Sequence, residues 1–142
     1  MAPRFTEEEF NKTIHQGTVY YFQDRRLTSP ESHYFVVINR NPTSDELIAL
    51  LVTSSKVEKV KAYCERFRGT YVELSPNDYK VLSTNSIIDC NSVFPFAKTD
   101  LLKKINTESV KLPLGMPKSI MDKILKAVKQ SPKVEEVIKK LL

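Results

Sequence analysis

The chain is short of the residues from which many common sites are built: of 142 residues only three are glycine, two cysteine and two histidine. No Walker-type phosphate loop is present, and neither is a Ser-His-Asp spacing, a Cys-His pair or a cluster of metal ligands. No metal or cofactor is therefore expected. Cys64 and Cys90 are too few for a disulfide framework and sit in no CxxC or Cys/His spacing. They read as reduced core thiols of a cytoplasmic protein. No apolar run approaches the roughly 20 residues that span a bilayer. Residues 1–17 are polar and carry Glu7, Glu8 and Glu9, so they do not read as a signal peptide.

What remains fits a single domain over residues 1–142, long enough to bury a core without staples. The net charge of +5 is uneven. Acids and bases nearly balance as far as Lys98, whereas residues 99–142 hold ten lysines against five carboxylates. Such an excess suits a polyanion near that surface, and equally a solvated helical face.

Thr6 and Glu9 have capping-box spacing, which predicts a leading helix over residues 7–15 stopped by Gly17. Strands are expected at residues 18–22, 33–38, 46–53, 70–74 and 86–89, the last with a continuation through 94–97. Residues 23–32 read as a mobile loop with a Ser29-Pro30 turn. Val57, Val60, Tyr63, Cys64 and Phe67 recur at helical spacing before Gly69. Ser75-Pro76 predicts a helical turn or two toward Leu82. In the tail, Ser119 caps a helix striped by Ile120, Met121, Ile124, Leu125 and Val128, and Ser131-Pro132 restarts another. Short strands punctuated by turns and single helices point to an α+β domain: a small antiparallel barrel of five to six strands, with a leading helix and added C-terminal helices.

The strand ending Leu51-Val52-Thr53-Ser54-Ser55 stops in a row of hydroxyls, and the strand before it opens on His33. Together they offer an imidazole that exchanges protons near neutral pH and hydroxyls that donate to phosphoryl oxygens. Lys56 follows one turn on, and Arg25 and Arg26 lie in the preceding loop. The same row also reads as an ordinary helix cap, and His33 as a hydrogen-bonded structural residue. Strand aromatics such as Tyr20, Tyr21, Tyr34 and Phe35 read mainly as core.

In order and in end residues the chain resembles the PemK/MazF-like toxins. Gly17-Thr18-Val19-Tyr20-Tyr21-Phe22 is similar to that family's opening strand, and residues 33–38 stand where it carries an Arg-Pro-hydrophobic strand. Leu51-Val52-Thr53-Ser54 is similar to its hydrophobic-Thr-Ser strand end. Ser86-Ile87-Ile88-Asp89-Cys90-Asn91-Ser92-Val93, followed by Lys98-Thr99-Asp100-Leu101-Leu102, resembles its fifth strand and closing helix. The resemblance covers residues 17–105 and leaves residues 117–142 as a helical extension. It implies an SH3-like barrel that cleaves single-stranded RNA without metal, a peptide antitoxin and a homodimer. It aligns Thr53 with the catalytic threonine, and puts Asp89 and Asn91 where some members hold an Arg-x-Asp pair. His33 and Tyr34 replace the arginine and proline, and Thr18 replaces an acid.

His33 and Thr53 are thus the candidate catalytic residues, with Ser54, Ser55, Lys56, Arg25, Arg26, Asp89 and Asn91 as candidate substrate contacts. The competing readings are an inactive barrel that binds RNA or a protein, and a regulatory protein whose C-terminal helices dock on a partner.

Overall fold

A computed structural model describes residues 5–27 and 30–142. Ser29 of the expected turn and residues 1–4 of the polar N-terminus lie outside them. The element order is α1 (Glu7–Thr13), β1 (Val19–Phe22), β2 (His33–Val37), β3 (Leu47–Ser54), α2 (Val57–Glu65), β4 (Tyr71–Leu74), β5 (Ser86–Asp89), β6 (Phe94–Ala97), α3 (Lys98–Thr107), α4 (Lys118–Gln130) and α5 (Glu136–Lys139). No helix among the described residues is long and apolar enough to cross a membrane.

Thr6 caps α1 as its spacing predicts, its Oγ1 accepting from the Glu9 amide at 3.1 Å. The helix stops at Thr13, two residues early, and Gly17 supplies the positive φ of +97° that turns the chain into β1.

The six strands form one antiparallel sheet in the order β1-β2-β3-β5-β4, with β6 also paired to β3. The expected closed barrel is not present: among the described residues no pairing joins β1 to β4. The outer edge of β1 is instead bridged to Lys111, which takes both backbone bonds of Tyr21, while α4 packs on the face of β4 that carries Val72 and Leu74. Residues 94–97 are likewise not a continuation of β5. The Asp89 carboxylate accepts from the Asn91 amide and the Ser92 hydroxyl, which turns the chain so that β6 pairs instead with the first half of β3.

Alternation along the strands divides the core. Val36, Ala49 and Leu51 face one side, with Val72, Ile88 and the α4 stripe Ile120, Met121, Ile124 and Val128. Phe35, Val37, Ile48 and Leu50 face the other, with Phe10 of α1 and Leu101 and Ile105 of α3. Burial on both faces explains why β2 and β3 read as nearly unbroken apolar runs.

Three further expectations are corrected. Residues 75–82 form turns and not a helix: Ser75 and Asp78 exchange capping-box bonds, the Asp78 carboxylate accepting from the Ser75 amide at 2.8 Å, but only one backbone bond of helical span follows, Tyr79 N to Ser75 O at 3.1 Å, before Leu82 N turns back to Tyr79 O. The α4 N-cap is Pro117, not Ser119, and no side chain caps it. The second tail helix is the four-residue α5 alone. Within the first loop, Arg26 bonds the Asp24 carboxylate at 3.0 and 3.1 Å.

Candidate functional site

Pairing between β2 and β3 stops at Phe35 and Val52, yet β3 runs on through Thr53 and Ser54 beside β5. The two strands part there. Extending the β2–β3 register by two residues would set His33 opposite Ser54, so the unpaired gap lies between the imidazole and the hydroxyl row. A cleft of about 340 Å³ occupies it, lined on one side by Leu27, Glu31 and His33, and on the other by residues 52–56, Lys59, Val60, Tyr63 and Asp89.

Within it, His33 Nδ1 lies 2.9 Å from the Glu31 carbonyl. A carbonyl can only accept, so Nδ1 carries a proton, and the tautomer this selects has Nε2 as its acceptor. Ser54 Oγ accepts from the Lys56 amide at 3.1 Å, and Lys56 itself stands at the N-cap of α2 with no side-chain cap bond. The helix-cap alternative therefore accounts for Ser54 alone. The hydroxyls of Thr53 and Ser55 have no hydrogen-bond partner among the described residues. Lys56 and Lys59 make no ion pair among them either, so both cations are open to an anion, offset by the carboxylates of Glu31 and Asp89.

The Asp89 carboxylate is held from behind. One oxygen accepts from the Asn91 amide at 2.8 Å, Asn91 Nδ2 at 3.0 Å and Cys64 Sγ at 3.4 Å, and the other from Ser92 Oγ at 2.8 Å. Burial, followed by the negative charge of Asp89, pushes the Cys64 thiol up to about 12, so it stays a neutral donor. Among the described residues no group of three or more His, Cys, Asp and Glu side chains could hold a metal ion.

His33, Thr53, Ser54, Ser55, Lys56 and Asp89 are brought together, whereas Arg25, Arg26 and Asn91 do not line this cleft. Asn91 is buried, its Oδ1 accepting from Thr70 Oγ1 at 2.5 Å and Ser131 Oγ at 2.6 Å, which fastens the tail to the β5–β6 turn. Arg26 bonds the Pro95 carbonyl at 3.0 Å and lies over the Phe96 and Phe94 rings at 4.4 and 5.1 Å. Burial alone would raise Asp24, but the hydrogen bonds and charge of Arg26, with Lys104 beyond, hold its carboxyl below the usual range. Arg25 faces a separate polar cleft with Gln23, Lys104 and Glu108.

Sequence reading misses Lys59, Val60 and Tyr63 as cleft residues. Helical spacing puts Val60 and Tyr63 in a core stripe, yet of Val57, Val60, Tyr63, Cys64 and Phe67 only Cys64 is buried. The i, i+3, i+4, i+7 spacing of Lys56, Lys59, Val60 and Tyr63 is the signal that could have found them.

No family model matches the chain, and no curated protein matches it. Among solved structures it is similar to an endoribonuclease in complex with its cognate antitoxin from mycobacterial species. The likeness has a TM-score of 0.50 at 12% identity and covers 82% of this chain and 89% of that one. At that identity the likeness is one of fold: this α+β chain, with its open six-stranded sheet, is built like that endoribonuclease.

Proposed function

We propose that the protein is a toxin of the PemK/MazF kind, acting in the cytoplasm as a metal-independent endoribonuclease on single-stranded RNA. The observation that carries the reading is the cleft in which His33, Thr53, Ser55 and Lys56 share one space. The fold likeness to an endoribonuclease in complex with its cognate antitoxin supports it and suggests an antitoxin as partner; that the antitoxin is a peptide and that a second copy of the chain joins it are what the sequence resemblance to the toxin family implies.

In this mechanism the ribose 2′-hydroxyl attacks the adjacent phosphorus and gives its proton to His33 Nε2. Lys56 and the Thr53 and Ser55 hydroxyls donate to the phosphoryl oxygens, which gather charge in the transition state. The bond from phosphorus to the 5′ oxygen breaks, and that oxygen takes a proton from solvent. The products are a 2′,3′-cyclic phosphate and a 5′-hydroxyl end.

A second reading, an inactive module that binds RNA or a protein, is favoured by one observation: among the described residues no arginine lines the cleft, and its two lysines share it with two carboxylates. Incubating the purified protein with a broad pool of single-stranded RNA in EDTA separates the two. Fragments ending in cyclic phosphate are expected, and intact RNA would leave the binding module in place.

A further inference from the structure

Helix α2 presents an unusual face to the cleft. Lys56 at its N-cap, Lys59, Val60 and Tyr63 follow at intervals that bring them onto one side, and all four line the cleft. The flank beside this face is engaged: Cys64, one turn on from Val60, is buried against Asp89, and Lys61, further round the helix, pairs with Glu73 at 3.4 Å. The cleft face therefore runs from cations at the start of the helix to an aromatic ring at its far end.

Tyr63 is one of three large apolar side chains exposed among the described residues, at 37%. Its ring meets Phe67 edge-on, with centroids 5.2 Å apart and planes at 61°. That contact braces the ring from the turn that follows α2. A half-exposed, braced ring beside two open cations suits a ligand with a flat apolar face joined to an anion, which is the chemistry of a nucleotide.

We propose that Tyr63 is the stacking platform for a nucleobase of the RNA bound in this cleft, with Val60 as the apolar wall beneath it and Lys59 on the phosphate that follows. The assignment rests on the RNA reading of the cleft. It also gives α2 a part in base preference, separate from the proton transfer assigned to His33.

The test uses the full chain and a short 2′-O-methyl oligonucleotide carrying 2-aminopurine, which cannot be cleaved because its 2′ oxygen is blocked. Binding by the parent protein should quench the 2-aminopurine fluorescence. Tyr63→Ala should weaken affinity roughly tenfold and abolish the quench, Tyr63→Leu should do nearly the same, and Tyr63→Phe should keep both. A thermal melt of each variant shows that it is folded. Parent-like affinity and quench in folded Tyr63→Leu would overturn the stacking assignment and leave RNA cleavage standing. Binding with the expected Tyr63 dependence, in a protein that leaves ordinary RNA intact, would retain the assignment and remove only catalysis. Absence of oligonucleotide binding by the parent would overturn both.

Discussion

In its first half β3 is flanked by β2 or β6 and buried on both faces, while at Thr53 and Ser54 it keeps only β5 beside it and opens onto the cleft. Leu50 shows the first condition, paired with both Val37 and Phe94 and wholly buried. Thr53 shows the second: only 5% exposed, it still lines the cleft, with a hydroxyl that has no partner among the described residues. A few residues of one strand separate a core position from a polar cleft. The difference lies in which neighbours the strand retains and does not require a change in its own backbone class.

The comparison is sharpest if the two ends fail differently. Leu50→Ala is expected to cost about 3 kcal/mol of stability, read as a lowered denaturation midpoint, because it opens a cavity between two paired strands. His33→Ala is expected to leave the midpoint nearly unchanged and to slow RNA cleavage about 100-fold or more. Cleavage at the parent rate would break the functional half of the comparison.

Smaller effects sharpen it further. Lys56→Gln combined with Lys59→Gln should make the logarithmic salt dependence of RNA affinity shallower by about 1.4, at about 0.7 for each single-strand phosphate that a lysine no longer neutralises. An unchanged slope would assign both lysines to solvent. Arg26 belongs to the paired half, since it lies over Phe94 and Phe96 of β6. Arg26→Gln should therefore cost about 1 kcal/mol of stability and leave RNA affinity alone. Its pH signature has a definite sign. The folded Asp24 value is depressed below 3.8, so this stabilisation is present above that range and is lost as the pH falls through the folded value. In the Arg26→Gln variant the acid-side decline should flatten, which urea titrations at several pH values would show.

Much of this is legible in the sequence because strand ends and turn residues are local signals. Period and spacing give the span of β5 and the leading cap at Thr6 correctly, and β2 and β3 to within a residue at either end. The partner of β6 is not legible, because nothing within residues 94–97 says that they pair with residues 47–50. Asn91 and Arg26 mislead for a related reason: a polar residue looks like a ligand contact until distant partners, Ser131 and Pro95, take up its hydrogen bonds. Tyr63 is hidden by the opposite error, an apolar stripe that reads as core and proves to wall a cleft.

The margins of the sheet carry a consequence for self-association. Pro95 stands on β6 at a position that faces away from β3, where its missing amide costs nothing and its carbonyl already takes Arg26. The margin of β1 exchanges both backbone bonds with Lys111, and β4 is four residues long with the exposed Glu73 along it. Each margin is thus capped, charged or without a donor, the usual means by which proteins discourage strand addition by another chain. A second copy is accordingly directed toward side-chain surfaces, and two molecules brought together would keep their sheets separate.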